Sequence, residues 1–534
     1  DLAKAYEDVL RLSPSDADAA LGLAKMRFDE GDWRAAETNF RIGCKDSKDS
    51  HAWALFGRTL LELKKSDEAS VAIQKAIDLG EKDQDLGLDL ARIRMDKGDL
   101  DGAEALVKGL SKKSPSDPEP MYYLGQIALK RQQSPMAEEF FRKTNQLKPD
   151  DGKYAEALGR LYRDKDAWKD AVSVLTLAEA KLTLSGRLLY GDCLARSGDV
   201  SKAQAIYSEL YKKEASAPLL ARRMDLMVRM GNAEQAVDIV SNSPFRDATE
   251  VRFSLAKAQL SLADAHVLKG DVDQAVDLMK QVLKTDDHKP EYHYYLGRAY
   301  YGQNRYKKAL GEFSDALTYR VDYPEALYRK GICLLKTDDI KNAEDCFVEL
   351  SQHSEAGSKA RGLYGLAMVF EAQGKSEAVL HHLERSVAVE PLPDALAFFS
   401  RFNLKQGKVG EAQELARKAL ALDPAHEGAT VALAEALAAA KQQSEAMELA
   451  RQGLRAKPLS CGLMVQTAKL NFEAGKLDST FAAGSKAIRI CPEEPMGYYY
   501  AGVATHGSNR PKEAKQYFKS FKKFGGDKKL LPED

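Results

Sequence analysis

The tripeptide Gly374-Lys375-Ser376 has the residue types that could bind a phosphate group. In a phosphate-binding loop, backbone amides surround the phosphates and the lysine pairs with their charge. Such a loop also needs a glycine five residues before its second glycine, and this chain has Val369 there. The loop must follow a strand, whereas the pattern around 374 is helical. The sequence therefore favours an ordinary turn between two helices.

Histidine and cysteine could ligate a metal, but their spacing does not favour a site. The one adjacent histidine pair is His381-His382, and neighbouring residues on a helix point about 100 degrees apart. A helical zinc site instead uses histidines one turn apart on one face. The six cysteines contain no C-x-x-C pair, so we interpret them as buried apolar residues. One bridge stays open, for the pairs Cys333/Cys346 and Cys461/Cys491.

Other catalytic signatures are also absent from the sequence. It contains no G-x-S-x-G, no H-E-x-x-H and no glycine-rich dinucleotide fingerprint after a strand. We therefore predict no catalytic residue, no metal ligand and no cofactor, and a protein that is not an enzyme.

Charge argues against a nucleic-acid partner, and hydropathy argues against a transmembrane segment. Lys+Arg number 79 and Asp+Glu 80, a formal net charge of −1, so no overall attraction to nucleic acid or to an anionic membrane is expected. The longest apolar run, at 429–440, is interrupted by Glu435 and is shorter than the ~20 residues that span a bilayer. We predict no nucleic-acid partner and no transmembrane segment.

Two consecutive stretches, 290–323 and 324–357, align without a gap. Gly297 corresponds to Gly331, and Phe313 corresponds to Phe347, each pair 34 positions apart. A small residue in the first helix and the pattern Ala-x3-Phe in the second resemble the tetratricopeptide repeat. This resemblance implies an all-α fold, an α-solenoid of tandem helix-turn-helix units that forms a right-handed superhelix.

The repeat register divides the chain into five parts. We predict a half repeat at 1–16, an N-terminal sub-array at 17–216, an irregular seam at 217–269, a C-terminal sub-array at 270–494, and a last repeat with a basic closing helix at 495–534. The chain starts without Met and in mid-repeat, so we expect a segment upstream of it, with a signal peptide as one possibility.

In tetratricopeptide proteins the first helices line a concave groove, and five positions of each first helix point into it. Transferring these positions to the repeats that start at 290, 324 and 360 predicts a partner-binding surface. It includes a ladder of tyrosines, which together with arginine are enriched at binding hot spots. The predicted residues are Tyr294, Arg298, Tyr301, Tyr328, Lys336, Arg361 and Tyr364. The alternative is that these tyrosines pack within the repeats.

The same transfer predicts a more basic lining in the N-terminal half. Its candidate residues are Arg58, Arg92, Tyr122 and Arg160. Such a strip would suit an acidic segment, whereas the alternative is solvated arginines paired with Glu62, Asp96 and Asp164. Family members that clamp a terminal carboxylate use asparagine and lysine at set groove positions. The absence of asparagine at the matching positions here argues against such a clamp.

The last helix is basic and amphipathic, with an apolar stripe of Ala514, Tyr517, Phe518 and Phe521. We expect it to close the array, with peripheral membrane contact as the alternative.

The resemblance implies a non-catalytic scaffold that binds protein or peptide partners in its groove within a larger complex. Two alternatives stay open. One is the recognition region of a larger enzyme such as a glycosyltransferase. The other is a structural subunit of an envelope, motility or secretion complex, as for bacterial proteins with long arrays. We expect a cytoplasmic location, with a periplasmic or envelope-associated one as the alternative.

Overall fold

The computed structural model describes residues 2–264 and 271–531. Within them lie 31 α-helices and no strand. One single helix at the N-terminus is followed by fifteen consecutive helix pairs, each pair made of a first and a second helix. The predicted all-α solenoid of tandem helix-turn-helix units is confirmed. In the described residues no helix is both long enough and apolar enough to span a membrane.

The chain divides into two compact units, residues 1–212 and 213–534. The helices of the first unit begin with the unpaired α1, and α13 ends at the boundary between the units. They are α1 (Leu2–Leu12), α2 (Ala17–Asp29), α3 (Trp33–Gly43), α4 (Ser50–Glu62), α5 (Ser66–Asp78), α6 (Gln84–Asp96), α7 (Leu100–Lys113), α8 (Pro118–Lys130), α9 (Ser134–Leu147), α10 (Gly152–Asp164), α11 (Trp168–Leu177), α12 (Leu184–Ser197) and α13 (Val200–Lys213).

The second unit contains nine helix pairs in its described residues. They are α14 (Ala217–Arg229), α15 (Ala233–Asp238), α16 (Thr249–Asp264), α17 (Val272–Leu283), α18 (Pro290–Gly302), α19 (Tyr306–Tyr319), α20 (Pro324–Lys336), α21 (Ile340–Ser351), α22 (Ala356–Ala372), α23 (Ser376–Val389), α24 (Pro393–Lys405), α25 (Val409–Leu422), α26 (Glu427–Ala439), α27 (Gln443–Ala456), α28 (Cys461–Glu473), α29 (Leu477–Ile490), α30 (Pro495–Gly507) and α31 (Pro511–Lys523).

The helices begin at residues that suit an N-terminus. In the first unit an aspartate caps five consecutive first helices by accepting a hydrogen bond from a backbone N–H of the first turn; these are Asp16, Asp49, Asp83, Asp117 and Asp151. Several first helices of the second unit instead begin at proline, which has no N–H to leave unsatisfied. These prolines are Pro290, Pro324, Pro393 and Pro495.

One residue in the turn between paired helices has a positive φ. Glycine adopts this left-handed conformation without a steric cost, and it occupies the position at Gly98, Gly198, Gly231 and Gly407. Gly270 lies outside the described residues. Gly374, with φ 72°, occupies the same place. The Gly374-Lys375-Ser376 tripeptide is therefore the turn between α22 and α23.

The two helices of a repeat approach closely because the first helix carries glycine where the second places a large side chain. In the repeat at 324, Phe347 is fully buried. A Cβ on Gly331 would lie 2.6 Å from its ring, and one on Gly365 of the next first helix would also overlap it. The same contact recurs along the chain, as in the pairs Gly125/Phe141, Gly191/Tyr207, Gly297/Phe313 and Gly502/Phe518.

The seam predicted at 217–269 includes the shortest described α-helix, α15, with six residues. The next helix, α16, is described up to Asp264, and the rest of the seam lies outside the described residues. The five-part division of the chain stays a prediction.

We expect opposite effects from adding a methyl group at two glycines of neighbouring helices. Gly331→Ala should destabilise the protein by about 1–3 kcal/mol, because its Cβ overlaps the Phe347 ring. Gly311→Ala is the matched control: Gly311 is exposed in α19 and a Cβ there meets nothing within 4 Å, so stability should rise by about 0.5–1 kcal/mol. Urea unfolding followed by circular dichroism measures both. Equal effects at both sites would contradict this packing.

Candidate functional site

The first helices of four consecutive repeats line an open cavity of about 430 Å³. Glu371 of α22, Phe398 and Arg401 of α24, Glu435 of α26 and Lys469 of α28 all contribute to it. Side chains from these helices therefore face one shared surface. We call the surface of α18, α20, α22 and α24 and this adjoining cavity the first-helix face.

The three tyrosines of the predicted ladder are partly or largely covered by other side chains of the protein. Tyr364 is 9% exposed and contacts Phe398 edge-on, with ring centroids 5.6 Å apart. Tyr328 is half-buried beside Phe347, at 5.9 Å. Tyr294 is half-buried and packs against Tyr295 and Tyr323. Much of each ring thus serves packing, and partner contact by these residues stays a prediction.

Tyr301 acts electrostatically on both Tyr328 and Tyr364. Burial raises the pKa of Tyr301 and Tyr364 above 10.0, and it raises the pKa of Tyr328 well above that value. All three side chains are therefore neutral hydrogen-bonding groups at neutral pH.

Two arginines lie near these tyrosines, and a third lies near Asp394 of α24. Arg329 of α20 lies over the Tyr301 ring, with its Cζ 5.8 Å from the centroid. Arg401 of α24 acts electrostatically on Tyr364, and Arg361 of α22 acts on Asp394. Arg361 was predicted from the sequence, whereas Arg329 and Arg401 were not. Arg329 lies outside the five transferred positions, and Arg401 belongs to the repeat at 393, to which the transfer was not extended.

Asp394 is the carboxylate among these arginines, and His426 fixes it. His426 Nδ1 accepts a hydrogen bond from the backbone N–H of Ala429, at 3.0 Å. The other ring nitrogen, Nε2, therefore carries the hydrogen and donates to Asp394 Oδ1, at 3.1 Å. This hydrogen bond, with the nearby charges of Arg329 and Arg361, lowers the pKa of Asp394. The carboxylate is ionised at neutral pH, and its side chain is 71% exposed.

The other two predicted residues of this region differ from the three arginines. Arg298 is held in an ion pair with Asp264. Lys336 is exposed at the end of α20. A partner would have to displace Asp264 before it could pair with Arg298.

In the first unit the predicted basic lining is engaged in ion pairs. Arg58 pairs with Asp83, Arg92 with Asp89 at 2.9 Å, and Arg160 with Glu156 at 3.1 Å. The alternative of paired arginines holds, but the partners Glu62, Asp96 and Asp164 named from the sequence are wrong. The actual partners lie in the loop before the next first helix, or one turn earlier on the same helix.

Tyr122, also predicted in this lining, is half-buried. Its hydroxyl accepts a hydrogen bond from Gln126 at 2.8 Å, and Lys153 Nζ lies 4.5 Å from its ring centroid. Both contacts come from within the unit, so its binding role also stays a prediction.

One group of possible metal ligands in the described residues was not predicted: His293, Glu312 and Asp315. His293 Nδ1 lies 2.8 Å from Glu312 Oε2, and Nε2 lies 2.8 Å from the Asp287 carbonyl oxygen. Both ring nitrogens thus already lie within hydrogen-bond distance of an oxygen atom of the chain, and no metal ion is needed to explain the geometry. Sequence reasoning missed the group because its residues lie on two helices, with no motif spacing between them.

The burial expected for the cysteines is found for four of the six. None of the six, all of which are described, forms a disulfide; Cys461 and Cys491 are half-buried and the other four are buried. Burial raises the pKa of Cys333 to about 12, which makes this thiol unreactive at neutral pH. His382 packs against Phe370 at 5.0 Å, and its Nδ1 lies 2.9 Å from the Ala378 carbonyl oxygen. These contacts make His382 part of the repeat packing, whereas His381 is exposed.

The apolar stripe of α31 is packed against its neighbours. Phe521 is fully buried against Tyr499, and Tyr517 contacts Phe481 edge-on. The lysines of this helix are exposed. It therefore closes the last repeat with its apolar side, and a membrane could meet only its charged side.

The burial of the tyrosine hydroxyls predicts a difference in alkaline titration. Tyr301→Phe/Tyr328→Phe/Tyr364→Phe removes three phenols but keeps their rings, so the fold should survive. Both proteins are titrated to alkaline pH, and the phenolate absorbance of the variant is subtracted from that of the native chain. We expect the midpoint of this difference above pH 10.0, because burial disfavours the charged form of the three phenols. Circular dichroism controls for unfolding. A midpoint below pH 10.0 in folded protein would show that arginine charge outweighs burial here.

Comparisons with known proteins agree with this architecture. The model described as "Cytochrome c-type biogenesis protein H TPR domain" matches residues 44–155. Models described as tetratricopeptide repeat match residues 260–319, 294–347 and 403–461.

Two curated relatives and one solved structure are similar to the chain. It is 23% identical over 291 residues to the TPR repeat-containing protein YpiA of Bacillus subtilis (strain 168). This match covers 47% of this chain and 67% of that protein. It is 24% identical over 267 residues to lipopolysaccharide assembly protein B of Escherichia coli (strain K12), with 48% and 67% covered. The crystal structure of the APC/C hetero-tetramer Cut9-Hcn1 has a TM-score of 0.48 and 15% identity, with 93% of this chain and 98% of that chain covered.

The repeat models match stretches in both units, and the structure shows fifteen helix pairs with their shared turns and glycine contacts. The chain is a tetratricopeptide-repeat protein.

Proposed function

We propose that this protein is a non-catalytic scaffold that binds an extended segment of a partner protein on the first-helix face of its second unit. The observation that carries this proposal is the combination found there. Half-buried aromatic rings, arginines that form no ion pair in the described part of the chain, and a cavity of about 430 Å³ lie on successive first helices. Aromatic and arginine side chains are the usual anchors of protein interfaces.

The aromatic and arginine side chains of the first-helix face offer a partner different kinds of contact. The half-buried rings of Tyr301 and Phe398 are held by packing, so a partner orders them at little cost in conformational entropy. The arginines add directional hydrogen bonds around these rings. An extended chain can cross several parallel first helices and contact one or two side chains on each.

A second cavity, of about 580 Å³, is the alternative binding surface in the second unit. It lies between α19, α20 and α21 and is lined by Leu310, Leu317, Val321 and Glu349, among others. A scaffold that works through its second helices would use this surface. It contains no tyrosine or arginine in its lining, so the first-helix face is the better candidate.

Photocrosslinking distinguishes the two surfaces. Phe398, half-buried on the first-helix face, is replaced by p-benzoylphenylalanine, which keeps an aromatic ring. The matched control places the same residue at Glu349, exposed at the second cavity. After irradiation in native extract, we expect discrete adducts at position 398 that excess unlabelled chain suppresses, and few at 349. Adducts at 349 with none at 398 would contradict the proposal.

The similarity to lipopolysaccharide assembly protein B motivates a second candidate, a scaffold in assembly of the cell envelope. It favours the envelope-associated location over the cytoplasmic one expected from the sequence. Fractionation of source cells followed by immunoblotting separates the two locations. Recovery with the envelope fraction would support this candidate, and recovery with soluble cytoplasmic proteins alone would contradict it.

A further inference from the structure

We infer that the segment bound on the first-helix face is acidic, and that Arg329, Arg361 and Arg401 recognise its carboxylates. The inference rests on the proposed function and adds the chemistry of the partner. It is carried by three guanidinium groups of the second unit that form no ion pair within the described residues.

The other arginines predicted in the groove are held in ion pairs. Arg58, Arg92, Arg160 and Arg298 each have a carboxylate within the chain. Within residues 2–264 and 271–531, Arg329, Arg361 and Arg401 form no ion pair and no hydrogen bond with another side chain. They stand on three successive first helices, α20, α22 and α24.

The nearby carboxylates do not occupy these guanidinium groups. Asp394 is close enough for Arg329 and Arg361 to lower its pKa, but it is hydrogen-bonded to His426 instead. Glu371, at the edge of the cavity, pairs with Lys405 at 2.6 Å. The positive charge of the three arginines is therefore available to a ligand.

Guanidinium geometry indicates the chemistry of that ligand. A planar guanidinium donates two parallel hydrogen bonds to a carboxylate, and a partly enclosed surface strengthens them. The rings of Tyr301 and Phe398 lie beside the arginines, as does the cavity. The site thus fits a protein segment that alternates acidic and apolar side chains.

Nucleic acid is a poorer fit. Backbone recognition needs an extended array of positive charge, whereas Asp394 lies near Arg329 and Arg361, and Glu371 lines the same cavity as Arg401. The formal net charge of the chain is −1. A nucleic-acid ligand is therefore treated as an outcome that would overturn the inference.

Fluorescence anisotropy with the full chain tests this recognition. The probe is a labelled octapeptide of alternating Glu and Leu; its comparison is the peptide with Gln in place of each Glu. A single-stranded uridine octanucleotide is the third probe. The test variant is Arg329→Gln/Arg361→Gln/Arg401→Gln. Its matched control, Arg385→Gln/Arg455→Gln/Arg489→Gln, removes the same charge from exposed arginines on the second helices α23, α27 and α29.

We expect the acidic peptide to bind more tightly than the glutamine peptide, and more weakly as salt is raised. The test variant should lose about tenfold or more in affinity for it, and the control variant should bind as the native chain does. Equal binding of both peptides, equal losses in both variants, no binding of the acidic peptide, or tighter binding of the oligonucleotide would overturn the inference. Adducts at position 398 alongside any of these results would leave the proposed function standing, with a partner of different chemistry.

Discussion

The contact between a helix backbone and an aromatic ring is the constraint on which the second unit depends most. Phe347 lies against Gly331 of its own repeat and Gly365 of the next, so one ring joins three helices. Each repeat buries too little surface alone, and its stability comes from such contacts with its neighbours. The close approach also fixes how far apart successive first helices lie, and therefore how far apart Arg329, Arg361 and Arg401 can be.

Much of the fold was predictable because its determinants are local and repeat. A glycine in the interhelical turn, a small residue in the first helix and a large one in the second recur at a spacing close to 34 residues. The turns at Lys64, Gln132 and Lys441 were less visible. These residues also adopt a positive φ, and their residue types do not predict this conformation. The register of the repeat, rather than the residue, imposes that conformation.

The candidate site was less predictable than the fold. The groove positions named Tyr301 and Arg361, which lie on α18 and α22, and their contact with a partner stays a prediction. They could not show that Tyr364 is largely covered by packing, because burial depends on the rotamers of neighbouring repeats. Nor could they show which arginines are paired. Arg58 reaches Asp83 beyond its own repeat, and only the packed structure reveals that Arg329 and Arg401 have no such partner in the described chain.

The central claim is that a partner segment binds across the first helices of the second unit. Hydrogen–deuterium exchange of the full chain, with and without saturating acidic octapeptide, tests it most directly. The account predicts slower exchange at the ends and turns of α20, α22 and α24 in the complex, with α21 and α23 unchanged. Protection confined to α21 and α23, or no protection at saturation, would contradict it.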